Sequence, residues 1–198
     1  MKIFVDIDQT ISTGRVSDTL QESMLYYRDQ GIAVPDTVTC YPDLFQLPDI
    51  VSLHDVLPSA CSGVYQLAQY GDIAYATVRA PDIEDITKKW LGEHDFPSPD
   101  SVILVQSVAH KLLAISAFSG PLVLIDDRWR KALGVWPRLM DHSPEIAQNL
   151  ATRLTLVAFG ANTSDLPGSS AVPVLALPDW SRVDTLIKHF TIEGDVVH

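Results

Sequence analysis

The chain opens Met1-Lys-Ile-Phe-Val-Asp6-Ile-Asp8-Gln-Thr10, a short apolar stretch that runs straight into two carboxylates and a hydroxyl. Such a run, ending on acids, reads as a buried strand of a parallel sheet with Asp6 and Asp8 at its carboxyl end. Open α/β sheets bind their ligands at that end. Side chains two apart on an extended chain point the same way, so the two carboxylates can share one site. The pair suits a nucleophile and a proton donor working beside one metal ion. Acid-rich turns after strands are common, so the motif takes its meaning from the rest of the chain.

Beyond the motif the chain alternates. Apolar runs at Lys2–Ile7, Asp72–Val78, Ser101–Gln106, Pro121–Asp126, Leu154–Phe159 and Val172–Leu177 are candidate strands, with helical segments between them. This is the pattern of a three-layer α/β/α, Rossmann-like fold with a parallel sheet covered on both faces. Ala60, Cys61, Val64, Leu67 and Ala68 place a helix over Leu57 to Tyr70, which Gly71 stops. Ile83, Ile86, Trp90 and Leu91 mark another after Pro81, and Val183, Leu186, Ile187 and Phe190 a last one, capped by Asp179 or Ser181. The tail from Thr191 reads as frayed.

Roughly sixty residues separate the first two strands, far more than a simple crossover needs. A helix is expected over Asp18 to Gln30, with Leu20, Met24 and Tyr27 on one face and Gly31 as its stop. After it comes a stretch with Pro35, Pro42 and Pro48. We therefore expect a small helical cap at 13–54, inserted into a core made of 1–12 and 55–198. Extra loop residues are most often surface decoration. Directly beside the acidic motif, however, an insertion is placed to close over the carboxylates and exclude water.

With 198 residues, 46% of them hydrophobic, the chain suits one α/β domain with a small insert. Its net charge of −11 disfavours a polynucleotide partner. A small phosphate ester is still open, because a bound cation and one or two basic side chains can invert the local field. Cys40 and Cys61 lie at no metal spacing and read as reduced and structural in a cytoplasmic setting. Asp6 and Asp8 interrupt the first apolar run before any signal-peptide core could form, and no stretch reaches the length of a membrane span.

Three further features stand in chain order. The second strand ends on Thr77 and Arg79, Lys111 opens a helix after the third, and the fourth ends Ile-Asp126-Asp127-Arg128. Singly, each has an ordinary reading. Thr77 suits a strand on packing grounds, Lys111 a solvated helix, and Asp126 or Asp127 the cap of the helix carrying Trp129 and Ala132. Arg79 could pair with the acids at 82, 84 and 85. Their conjunction, in that order, outweighs those readings. The histidines compose no recognisable site; His54 near the cap hinge and His110 beside Lys111 read as ordinary polar residues.

This ordered set resembles the haloacid dehalogenase (HAD) superfamily of aspartyl-phosphate phosphatases, whose four motifs match Asp6-Ile-Asp8-Gln-Thr10, Thr77, Lys111 and Asp126-Asp127. The resemblance spans most of the chain. It implies that Asp6 is the nucleophile and Asp8 the general acid and base. Thr77, Arg79 and Lys111 would bind the phosphoryl group, and Lys111 would also orient Asp6 and offset charge in the transition state. It implies Mg²⁺ as cofactor, held by Asp6, the Asp8 carbonyl and Asp127, with Asp126 in support. Gln9 and Val78 stand where the family often has glycine, and glycine, asparagine or serine.

Within the superfamily the layout is most similar to the 5′(3′)-deoxyribonucleotidases. The similar features are the small cap, the run from Thr77 to Trp90, the Leu124–Arg128 strand end and Leu177-Pro-Asp-Trp180. That implies a small phosphorylated substrate of the (deoxy)nucleoside monophosphate kind. Tyr26, Tyr27, Tyr41 and Phe45 are the cap's aromatic candidates for stacking on a base, although aromatics in a cap are more often its own core. Ala109 and His110 stand where a nucleotidase places an extra arginine. The rival readings are a sugar or other metabolite phosphatase, and a non-catalytic Mg²⁺-binding or interaction module.

Overall fold

Successive side chains of β1 (Lys2–Val5) enter different apolar clusters: Ile3 and Val5 one, Phe4 another. The computed structural model describes residues 1–13, 17 and 19–194. After β1 come a short β2 (Ser12–Thr13), helices α1 (Leu20–Asp29), α2 (Tyr41–Leu44) and α3 (Pro48–Ser52), and a short β3 (Asp55–Val56). The chain continues through α4 (Ala60–Leu67), β4 (Asp72–Thr77), α5 (Glu84–Glu93), β5 (Val102–Leu104), α6 (Val108–Ser116) and β6 (Leu122–Asp126). It ends with α7 (Trp129–His142), α8 (Pro144–Ala151), β7 (Leu154–Phe159), β8 (Val174–Leu177) and α9 (Val183–Gly194).

Six strands form one parallel sheet in the order β5-β4-β1-β6-β7-β8. Val64 and Leu67 of α4, Trp90 and Leu91 of α5 and Leu186 of α9 cover one face, with Val123 and Ile125 beneath them. Leu112 of α6, Trp136 of α7 and Leu150 of α8 cover the other, over Phe4, Leu122 and Leu124. The fold is therefore the expected three-layer α/β/α sandwich. Burial on both faces is why the strands read as continuous apolar runs. Each fully buried side chain of this size contributes about 1.5–3 kcal/mol. Strand order reverses at β1, so the carboxyl ends of β4, β1 and β6 lie side by side at the switch point where such sheets bind ligands. Among the described residues no helix is long and apolar enough to cross a membrane.

Residues between β1 and α4 form a third apolar cluster of Tyr27, Val34, Val38, Leu44, Phe45 and Ile50. The chain leaves for it and returns through β2 and β3, which pair antiparallel as Ser12 with Val56 and Thr13 with Asp55. Neither short strand was expected. They also shorten the helix predicted from Leu57: the Leu57 amide bonds Ile11 O, Ser59 takes a left-handed φ of 63°, and α4 begins only at Ala60. At its other end α4 stops at Leu67, before Gly71, the expected stop; Gly71 serves instead a close approach, since a Cβ there would lie 2.6 Å from Met1 O.

Other boundaries moved for local reasons. β1 stops at Val5 because Ile7 O turns to accept the amides of Thr10, Ile11 and Ser12 at 3.0–3.2 Å. β8 starts at Val174, after Pro173, which has no amide proton to give. Asp179 Oδ1 accepts the Ser181 amide at 2.8 Å and caps a 3₁₀ turn, Trp180–Arg182, that leads into α9. Thr191, expected in a frayed tail, belongs to α9. Asp18, the expected start of the first cap helix, lies outside the described residues, as do 195–198; the helix is described from Leu20, capped by Thr19.

Candidate active site

The loop after β1 presents Asp6 and Asp8 on a turn closed on the Ile7 carbonyl, with Gln9 at its apex. Gln9 takes φ 63°, a left-handed conformation that costs a residue with a Cβ about 1–2 kcal/mol. Thr10 behind it is fully buried, and its Oγ1 accepts the Asp127 amide at 3.2 Å. The Thr10 carbonyl accepts the Trp180 indole N–H at 2.6 Å. Trp180 in turn lies on Gly63, where an added Cβ would come within 2.6 Å of the ring. The acid loop is thus braced from α4, from the start of α9 and from the loop after β6.

Asp6, Lys111, Asp126 and Asp127 come together at the carboxyl ends of β1 and β6. The Lys111 ammonium, 1% exposed, lies 2.6 Å from Asp126 Oδ2 and 2.9 Å from Asp6 Oδ1. The contact with Asp6 is an ion pair without hydrogen-bond geometry. Asp126 Oδ1 also accepts the Arg128 amide at 2.7 Å, so this acid both pairs with Lys111 and holds the turn that leads into α7. Burial pushes the Asp6 carboxyl up; Lys111 pulls it down, but the charges of Asp126, Asp127 and Asp8 add to the rise, leaving it at about 8. Asp127 is pushed up to about 6 by burial and by Asp126, against the pull of Arg128 and Lys111. For Lys111, burial disfavours the ammonium, but Asp126 and Asp6 outweigh it and raise the proton affinity.

Asp8 sits in a different environment, with its side chain 14% exposed. Arg79, expected to reach a substrate phosphate, is instead buried with its guanidinium on Asp8: Nη2 donates to Oδ1 at 2.6 Å and Nε to Oδ2 at 3.0 Å. Its Nη1 donates to Thr87 at 2.9 Å. The Thr77 hydroxyl also donates to Asp8 Oδ2, at 3.3 Å. Burial alone raises the Asp8 carboxyl, but Arg79, with help from His54 and Thr77, holds it below the ordinary range. Without a cation the two carboxylates, two residues apart, are thus driven in opposite directions, Asp6 toward its protonated form and Asp8 toward its ionised one.

His54 and Arg128 are the residues that sequence reasoning passed over. His54 is 2% exposed, not an ordinary polar residue; Nδ1 lies 3.7 Å from Asp8 Oδ1 and 3.5 Å from Ser12 Oγ. Burial lowers its proton affinity, to about 4, so the ring is neutral near pH 7. No motif announces it, because its contact depends on the β2–β3 pairing. Arg128 was signalled only by its place after two acids at a strand end. It lines a small cavity of about 20 Å³ with Asp6, Asp8, Phe45, Thr77 and Val78, and an adjoining cleft of about 450 Å³ with Asp127, Tyr41 and Phe45. His110 is exposed and takes no part.

Of the expected cap aromatics, Tyr27 is buried in the third cluster and Tyr26 is exposed. Tyr41 and Phe45 face the cleft, with ring centroids 5.9 Å apart. Next to Phe45, the Gln46 side chain accepts the Ala80 amide and donates to Val78 O at 3.5 Å, joining this segment to the loop after β4. Cys40 and Cys61 are both free thiols.

The donor set fits a hard divalent cation. One oxygen each from Asp6, Asp126 and Asp127 lie within 4.8 Å of one another. Asp127 Oδ1 is buried with no hydrogen-bond partner among the described residues, whereas both Asp126 oxygens are engaged. Oxygen donors of this kind suit Mg²⁺.

No family model matches the sequence, and no curated protein matches it. Among solved structures, a HAD-superfamily hydrolase from Ehrlichia chaffeensis is similar over 96% of this chain and 97% of its own, at 11% identity and a TM-score of 0.47. A class C acid phosphatase from Bacillus anthracis, solved with tungstate bound, is similar over 74% of this chain at 14% identity and a TM-score of 0.44. The matched part spans 62% of that phosphatase. Both scores lie below 0.5, so the reading of the site rests on its own geometry.

Proposed function

We propose that the chain is a HAD-type phosphohydrolase that transfers the phosphoryl group of a small monoester to Asp6 and from there to water. The observation that carries this reading is a buried carboxylate at a strand end, 2.9 Å from a buried lysine and within one cation's reach of a second acid pair. Asp6 and Asp127 would hold the cation, with the Asp8 carbonyl, while Asp126 fixes Lys111. Mg²⁺ bound there would ionise Asp6 and neutralise the phosphoryl oxygens.

Asp6 attacks phosphorus in line with the leaving oxygen. Lys111 orients Asp6 and offsets charge in the transition state. Asp8 protonates the leaving oxygen, then takes a proton from the water that cleaves the aspartyl phosphate; such assistance is worth about 10²–10⁴ in rate. Because Arg79 holds Asp8 ionised beforehand, the proton arrives with the substrate. A phosphate monoester ionises a second time near pH 6 and enters partly as its monoanion, and its charge raises the proton affinity of Asp8. Thr77 passes from Asp8 to a phosphoryl oxygen.

Residues 13–54 act as a cap over a core of 1–12 and 55–198. The 20 Å³ cavity holds about one water, so Phe45 and its neighbours lift to admit a substrate. The leaving group then occupies the cleft between Tyr41, Phe45 and Arg128. An aromatic wall there supports a nucleoside monophosphate, with stacking worth about 1–3 kcal/mol per base.

The test is hydrolysis of p-nitrophenyl phosphate with Mg²⁺ and with chelator, then a panel of nucleoside monophosphates and sugar phosphates. Cation-dependent turnover is expected, with nucleotides preferred. Preference for sugar phosphates would remove the nucleotide assignment, and a protein that binds Mg²⁺ but turns over no ester would leave only a binding module.

A further inference from the structure

His54 has no assigned role in the chemistry above, yet it is among the most deeply buried polar residues and lies against Asp8. Its ring orientation is set by the hydrogen-bond network. Placing the Ser12 hydroxyl proton on Ile7 O, 3.2 Å away, assigns His54 the Nδ1–H tautomer, which then donates at the 3.5 Å contact. That N–H faces Ser12 Oγ and Asp8 Oδ1 together. The remainder of the residue is fixed from other sides. Its ring meets Phe45 edge to face at 5.3 Å and 84°, and its carbonyl accepts the Trp90 indole N–H at 2.8 Å.

Nε2 is buried with no hydrogen-bond partner among the described residues. A residue kept for packing alone would not leave a ring nitrogen bare, since leucine fills a similar volume with no unmade bond. We propose that His54 is a positioning residue for Asp8, setting the carboxylate between its own Nδ1 and Arg79 and coupling that orientation to Phe45 above the site. The proposal rests on the phosphohydrolase reading. It adds that correct proton delivery to the leaving oxygen depends on a residue at the return of the inserted segment, just before β3.

Leaving-group dependence separates this role from a structural one. An alkyl ester needs a proton on its departing oxygen, whereas p-nitrophenolate departs without one, and kcat/KM reads only the steps through phosphoryl transfer. His54→Leu fills the volume and removes the N–H, while His54→Asn keeps an N–H donor near the Nδ1 position. His54→Leu should lower kcat/KM for an alkyl phosphate about 10–100-fold, part of the general-acid contribution, with a less than roughly 3-fold change for p-nitrophenyl phosphate. It should also melt at the same or a higher temperature, and His54→Asn should restore part of the alkyl-ester activity. Equal losses on both esters, or no loss on the alkyl ester, would overturn the proposal. Wild-type protein inactive on both would remove the phosphohydrolase reading itself.

Discussion

The Thr10 hydroxyl accepts the Asp127 amide at 3.2 Å, joining the loop after β1 to the one after β6. These loops carry Asp6 and Asp127, whose carboxylates repel each other whenever both are ionised. A buried neutral hydrogen bond, braced by Trp180 on the Thr10 carbonyl, holds them together regardless of charge.

Thr10→Val keeps the shape and removes the hydroxyl, leaving the Asp127 amide without its partner. It should cost about 1–3 kcal/mol in urea denaturation and weaken Mg²⁺ binding, with Thr10→Ser close to wild type. An unchanged Mg²⁺ affinity in Thr10→Val would show that the loops do not depend on this bond.

Metal-free stability should fall as pH rises through neutrality. Asp6, pushed up to about 8, keeps a proton in the folded chain that an unfolded aspartate, near 3.8, has already lost. Where the native state holds more protons, stability declines with pH. Asp127, raised to about 6, adds to the decline at lower pH. His54 acts oppositely, but only between about 4 and its ordinary 6.5, and the lowered Asp8 acts below 3.8. Asp6 therefore governs the interval from about pH 6.5 to 8.5. Thermal melts with chelator should show a falling midpoint there, and the rise produced by Mg²⁺ should grow with pH. Asp6→Asn should flatten both trends; an equal decline in that variant would place its origin elsewhere.

Arg79 and Asp8 form a largely buried pair, and breaking it from one side leaves a charge without compensation. Arg79→Met should destabilise the protein by about 3 kcal/mol. Adding Asp8→Asn should recover part of that loss, because the remaining charge is then gone. A double-mutant cycle by denaturation measures this, and strict additivity would mean that the bidentate contact contributes nothing.

The strands were legible because the four central ones are buried on both faces, and the half-buried edge strands β5 and β8 are still apolar runs. Asp6, Thr77 and Asp126 were legible because they close those strands. Lys111 stood out by its place in the first turn of the next helix, where it reaches back to two of the acids. What the sequence concealed depends on pairings too short to have a period. The two-residue strands β2 and β3 carry no alternation, yet they bring His54 to Asp8 across forty-six positions of chain. Arg79 showed its charge but not its direction. The chain turns after Thr77 so that the guanidinium reaches Asp8 and Thr87, and no local pattern encodes that turn. Gln46 was invisible for a similar reason, since its partners are backbone groups of a distant loop.

The most direct measurement of the central claim is acid quench of the protein during turnover of a phosphate monoester with Mg²⁺, then peptide mass mapping. The account predicts one added phosphoryl group on the N-terminal peptide at Asp6, absent in Asp6→Asn, which should also lose turnover. A phosphoryl group trapped on another residue, or undiminished turnover by Asp6→Asn, would contradict it.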